Sequence, residues 1–124
     1  MISEMSPHKC LAQFAAAWAE RDVAGLLDLM TDDAVYAASV GPEPGRTFRG
    51  HHELAGGFRA MFEHDADAVI EQDEPVVKGD WAVSTWTYRF VVADGPQRCE
   101  RGIDLWRFRQ GKICLKDAYR KVHG

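Results

Sequence analysis

Apolar residues recur at helical spacing in the first half of the chain and at alternate positions in the second. Ser6 and Pro7 mark a helix start, with Ser6 as N-cap and Pro7 in the first turn, where its missing N–H is not needed. Leu11, Phe14, Ala15 and Trp18 then form one stripe to about Arg21. Asp22 caps a second, shorter helix with Val23, Leu26, Leu27 and Met30 on its apolar side. Asp32 and Asp33 close it, and residues 34–40 read as a strand. Gly41, Pro42, Glu43, Pro44 and Gly45 make a rigid loop leading through Thr47 and Phe48 to Gly50. The third helix carries Leu54, Phe58, Met61 and Phe62 on one face. Gly56 and Gly57 inside it each lower its intrinsic stability by about 1 kcal/mol relative to Ala, and either close packing or a kink accounts for them.

From Ala66 onward the period becomes two. Residues 68–77 form one predicted strand, ended by Lys78, Gly79 and Asp80. Residues 81–92 form a long one, with Ala82, Ser84, Trp86, Tyr88 and Phe90 on one face and Val83, Thr85, Thr87, Arg89 and Val91 on the other. A turn at residues 93–96 leads into residues 97–108, and a tight turn at Gln110 and Gly111 leads into 112–121. Helices first and an antiparallel meander afterwards predict an α+β fold, in one domain over residues 1–124.

Composition removes several function classes. The net charge of −4 offers no basic patch for phosphate, and Glu100 and Asp104 interrupt the arginines 98, 101, 107 and 109, so no nucleic-acid partner is expected. No segment approaches the roughly 20 apolar residues of a membrane span, and residues 1–10 lack the basic start and apolar run of a signal peptide. Cys10, Cys99 and Cys114 are odd in number and match no zinc spacing, which fits free thiols in a reducing cytoplasm.

The candidate chemistry centres on Gly102 to Phe108, where alternation puts Asp104, Trp106 and Phe108 on one face. A carboxylate beside aromatic surface is poorly solvated when ionised, so it tends to hold a proton and serve as a pocket acid or hydrogen-bond donor. The last strand decides its neighbour. A two-residue turn at Gln110 and Gly111 puts Asp117 beside Asp104, whereas a three-residue turn with a Gly111 bulge puts Lys116 there. Two facing carboxylates would share a proton; a lysine would hold Asp104 ionised. Tyr88 is a further candidate, its hydroxyl reaching Asp104 from the adjacent strand. His52, opening the third helix beside His51, is a candidate at the cavity mouth, although adjacent histidines point about 100° apart and suit no single metal. His64, Asp65 and Asp67 lie in a loop where polar residues are expected. Neither a metal nor a cofactor is expected. Phe14, Trp18, Tyr36, Phe58, Phe62, Trp86, Phe90, Trp106 and Phe108 supply an aromatic pocket wall, with Lys116 and Ala118 on the last strand.

Three helices followed by a meander ending in Asp104, Trp106, Phe108, Gly111, Lys112 and Ile113 resemble the nuclear transport factor 2-like superfamily, and within it the ketosteroid-isomerase and SnoaL-like polyketide-cyclase branch. The run from Asp22 to Ala34, the Gly41-Pro42-Glu43-Pro44 loop and Phe48-Arg49-Gly50 carry the resemblance, and the stretch from Ile103 to Ile113 is its strongest piece. The resemblance implies a cone: three N-terminal helices packed on a strongly curved, mostly antiparallel sheet that encloses a pocket. It also implies a homodimer through the outer sheet face. In steroid isomerases an acidic base follows the first strand, and the matching position here is Ala38; the oxyanion-hole tyrosine falls at Phe14. The second oxyanion-hole donor, an aspartic acid, matches Asp104. One of three groups an isomerase needs is retained, which argues against the usual isomerase mechanism. The water-activating Asp-Arg-Asp set of the epoxide-hydrolase branch falls at Thr85, Thr87 and Ala118, and none matches. The resemblance favours Lys116, Ala118 and Arg120 facing inward.

Together these features predict a pocket for a small apolar molecule. It is either a cofactor-independent isomerase- or cyclase-type enzyme using Asp104, or a non-catalytic ligand binder or dimeric interaction module.

Overall fold

In a computed structural model, which describes residues 5–39, 46–64, 68–91 and 97–121, the helices precede the sheet as the periodicity predicts. Three helices, α1 (Pro7–Ala19), α2 (Val23–Asp28) and α3 (Gly50–His64), pack on a seven-stranded sheet. Its strands are β1 (Met30–Ala37), β2 (Thr47–Arg49), β3 (Val69–Gln72), β4 (Val76–Lys78), β5 (Trp81–Val91), β6 (Gln97–Arg109) and β7 (Lys112–Arg120). Their order is β2-β1-β7-β6-β5-β3, with β4 also on β5; among the described residues only the β1–β7 pair is parallel. The α1 helix touches both β3 and β7, which lie three places apart in the sheet, so the sheet curls around it into a cone. Among the described residues no helix is long and apolar enough to cross a membrane.

The caps form where the sequence put them. Ser6 Oγ accepts from the Lys9 N–H at 3.2 Å, and Asp22 Oδ1 accepts from the Gly25 N–H at 3.0 Å. Both helices stop earlier than the apolar stripe suggests, because Arg21 turns the chain with φ 57° and Met30 already belongs to β1. Thr47 and Phe48, read as loop, pair with β1 instead. The predicted strand over 68–77 is two strands: Asp73, Glu74 and Pro75 interrupt it, and proline has no N–H for the ladder. Gly57 is the close-packing glycine, since a Cβ there would come within 2.9 Å of the Phe48 ring, while Gly56 meets nothing within 4 Å. The expected loop from Gly41 to Gly45, the turn at 93–96, and Asp65 and Asp67 lie outside the described residues.

The β6–β7 hairpin combines features of both turn alternatives. Gln110 and Gly111, both at positive φ, make a two-residue turn closed by the Arg109–Lys112 pair. The register then slips: Phe108 faces Ile113, but Arg107 faces Leu115, leaving Cys114 as the extra residue of a bulge. Beyond that bulge Asp104 lies opposite Ala118 and Trp106 opposite Lys116, so Lys116, Ala118 and Arg120 share the inward face of Asp104. The tight turn alone would have put Asp117 there; the bulge turns it outward.

Candidate functional site

Three rows of residues cross the inward face of the sheet. The first runs Ala82, Trp106, Lys116 and Tyr36, the second Ser84, Asp104 and Ala118, the third Trp86, Gly102 and Arg120. Ser84, Ala118 and Gly102 are small, so the space above them is left to the large rings on either side. Phe14 and Trp18 of α1 close over it from the helical layer.

Asp104 and Lys116 form the polar centre. They are diagonal neighbours on antiparallel strands, with Nζ 3.1 Å from Oδ1 and exposures of 1% and 5%. Three rings surround the ammonium: Tyr36 at 4.6 Å, Trp106 at 5.1 Å and Trp18 at 5.4 Å to their centroids. Burial pushes the Lys116 pKa down, but the Asp104 carboxylate more than offsets this, and the net direction is upward. The ammonium is therefore the stable form of the lysine, and the donor role foreseen for Asp104 passes to Lys116. Among the described residues the Lys116 ammonium is the one partner of Asp104 Oδ1, and Oδ2 has none. Trp106 is fixed beside them by its indole N–H, which donates to Ser84 Oγ at 2.9 Å.

The cavity above the pair measures about 40 Å³, room for one or two water molecules at roughly 30 Å³ each. A second cleft of about 200 Å³ opens between α1 and the β3–β4 connection; it reaches Ser84 and Trp106 and shares Phe14 and Gln72 with the cavity as walls. Turning the Phe14 ring aside would make one space of the two.

Of the residues expected at the site, Asp104, Tyr88, Phe14, Trp18, Tyr36, Trp86, Lys116 and Ala118 line this cavity and Trp106 lines the adjoining cleft. Phe58 and Phe108 lie instead in the main core, with Phe62 packed against it, and Phe90 packs on Tyr88. Tyr88 does not reach Asp104: it pairs with Glu100, two rows further along, and Asp104 accepts nothing from it. His52 is exposed on a separate groove with Arg46, Phe48 and Glu53, between the first turns of α3 and the edge strand β2. Ser39, Met61, Ile70 and Gln72 complete the lining without having been expected, and nothing local in their sequence marks them. Arg120 also lines it, on the inward face that the resemblance favoured for it. Among the described residues no cluster of three His, Cys, Asp or Glu could hold a metal ion.

The SnoaL-like domain family matches residues 11–115 of this chain. None of the curated proteins matches it in sequence. Among solved structures, the chain is similar to an NTF2-like protein of unknown function from Burkholderia pseudomallei K96243, with 23% identity, TM-score 0.80 and 94% and 92% of the two chains covered. It is similar to another from Mesorhizobium loti, with 24% identity, TM-score 0.77 and coverage of 97% and 100%. A third likeness is to TerC co-crystallized with polyporic acid, at 22% identity, TM-score 0.78 and coverage of 94% and 92%. At these identities the likeness establishes the fold.

Proposed function

This chain belongs to the SnoaL-like domain family of the nuclear transport factor 2-like superfamily, and from that premise we propose that it binds a small, largely apolar, ring-bearing molecule in the space formed when Phe14 turns aside and the cavity opens into the adjoining cleft, the molecule's polar oxygen meeting the Asp104–Lys116 pair. The observation that carries the reading is the pair itself: a buried ammonium ringed by Tyr36, Trp106 and Trp18, beside a carboxylate whose Oδ2 has no partner. A buried ion pair is weak evidence for stability, because apolar residues of similar volume often do as well. Its position on a cavity wall gives it another use, in which Lys116 donates to a carbonyl or hydroxyl oxygen and Asp104 accepts from a hydroxyl. TerC, a structural relative, was crystallized with a small organic ligand, which supports the same class of occupant.

The test is thermal-shift titration with phenol and acetophenone of wild type and of Ala118→Leu, which fills the cavity floor beside Asp104 and keeps both charged groups. Both compounds should stabilise the wild type in a concentration-dependent way, and Ala118→Leu should lose the effect. No stabilisation of wild type, or equal stabilisation of the variant, would overturn the reading.

A second reading, cofactor-free proton transfer, is favoured by the second Asp104 oxygen, Oδ2, which has no partner while Oδ1 faces Lys116. Asp104 would take a proton from the carbon beside a carbonyl while Lys116 holds the resulting oxyanion. Exchange of the acetophenone methyl protons in D2O, followed by NMR, should then be faster with protein and return to background in Asp104→Asn. A homodimer through the outer sheet face belongs to the same proposal, since Trp81, Ile103 and Tyr119 are exposed there. Light scattering at twice 13.9 kDa would support it, and a monomer would refute it.

A further inference from the structure

The third row carries polar groups that the reading above leaves unused. A Cβ on Gly102 would come within 2.2 Å of the Trp86 ring and 2.4 Å of the Tyr119 carbonyl oxygen, so glycine is what lets the indole lie across β6. The ring thereby reaches toward β7, where the Arg120 guanidinium carbon sits 5.6 Å from its centroid and 5.4 Å from that of Tyr88. Arg120 donates through Nη1 to Glu100 Oε2 at 2.7 Å. Its Nε–H and the Trp86 indole N–H are both buried without a hydrogen-bond partner, and both residues line the cavity that holds Asp104.

A buried donor without an acceptor is destabilising, and native proteins leave few of them. Here two occur together, and the row beside them holds the converse, a carboxylate oxygen, Asp104 Oδ2, with no partner. Two donors suit the two oxygens of a carboxylate better than a single carbonyl oxygen, and the guanidinium makes one of the bonds charge-assisted. The rows are two residues apart along β6 and β7, roughly 6.6 Å at about 3.3 Å per residue. A six-membered ring with its two oxygen groups at opposite positions bridges such a span.

We propose that the pocket takes a ring-bearing hydroxy acid: the carboxylate accepts from the Trp86 indole N–H and the Arg120 Nε–H, and the hydroxyl across the ring donates to Asp104. This rests on the reading of the cavity as a ligand pocket and adds the class of ligand.

The experiment is a ligand-observed NMR titration of wild type, Trp86→Phe, Arg120→Lys and Ala118→Leu with 4-hydroxybenzoate, 2-hydroxybenzoate and phenol. Wild type should bind 4-hydroxybenzoate about tenfold more tightly than phenol, the scale of one hydrogen bond to a charged group. The 2-hydroxy isomer, whose groups are adjacent, should show no such margin. Trp86→Phe keeps the ring and removes the N–H, and Arg120→Lys keeps a cation for Glu100 and removes the Nε–H. Each should erase most of the margin and leave phenol unchanged. Equal binding of 4-hydroxybenzoate and phenol, or variants that weaken both compounds alike, would overturn the inference. If phenol binds and Ala118→Leu abolishes it while the acid gains nothing, the hydroxy acid falls and the pocket stands. If no compound binds, the pocket reading falls and the inference with it.

Discussion

The two ends of the β6–β7 hairpin are both buried, with opposite chemistry. Near the turn, Phe108 and Ile113 face Cys10, Leu26, Met30, Ala34 and Leu54 in a sealed apolar core. The polar atoms there are engaged: the Ile113 N–H donates to the Leu29 carbonyl at 2.9 Å, and Cys10 Sγ reaches the same oxygen at 3.8 Å. Past the Trp106–Lys116 row, the same strands bury an ion pair, an arginine and an indole, with Trp86 Nε1, Asp104 Oδ2 and Arg120 Nε lacking hydrogen bonds. One end satisfies every rule for a stable core, and the other breaks the rule on buried polar groups at a cavity wall. Local inconsistency of that kind concentrates at functional sites.

The sharpest way to break the comparison is to insert one alanine between Leu115 and Lys116. With the added residue, every side chain of β7 beyond it changes face, so Asp117 and Tyr119 turn inward and Lys116 and Arg120 outward. The expected result is loss of the native circular-dichroism transition altogether, whereas deletion of Cys114, which keeps the same strand pairs in a regular ladder, should leave the transition in place; a cooperatively folded insertion variant would show that residue spacing does not set the face of β7.

Asp104→Ala comes next. It leaves the Lys116 ammonium buried and unpaired, and should lower unfolding stability by about 3–5 kcal/mol, whereas the double change Asp104→Leu with Lys116→Met should recover most of it and abolish ligand binding. Urea denaturation of the three proteins checks this, and a single variant as stable as wild type would mean that the pair is not held charged.

Gly102→Ala should cost about 1–3 kcal/mol by pressing on Trp86 and the Tyr119 carbonyl, with a change in tryptophan fluorescence as the indole moves. An unchanged spectrum would argue that the ring does not lie on Gly102.

The smallest effect reports on the apolar end. Burial pushes the Cys10 thiol from its ordinary 9.0 up to about 11. A raised thiol pKa means a contribution that is complete below 9.0 and lost as pH climbs through about 11. Cys10→Ala should therefore flatten the decline in melting temperature across that window, and an equally steep decline would place its cause elsewhere. Lys116, whose pKa burial lowers and Asp104 raises to a net increase, adds its own loss only above the ordinary lysine value of 10.5.

Much of this architecture was legible in the chain itself. Helical and alternating periodicities, the Ser6 and Asp22 caps, the Gln110–Gly111 turn and the inward face of β5 all follow from contacts between near neighbours, which a local pattern encodes. Asp104 stood out for the same reason, as a carboxylate in phase with two aromatic residues. What local pattern could not decide was relative placement across strands. The bulge at Cys114 carries no glycine or proline to announce it, and it forms because Ile113 must enter the apolar core while Lys116 must face Asp104. Gly57 left close packing or a kink open until the Phe48 ring was found against it, and nothing in the sequence marked the Trp86 ring against Gly102. His52 and Met61 belong to the same helix, yet Met61 lines the cavity and His52 a separate groove. Alternation along one strand is dictated by the backbone's own geometry, whereas the partner of each side chain is dictated by packing between segments far apart in sequence. The first determined the elements of this protein, and the second alone assembled its pocket.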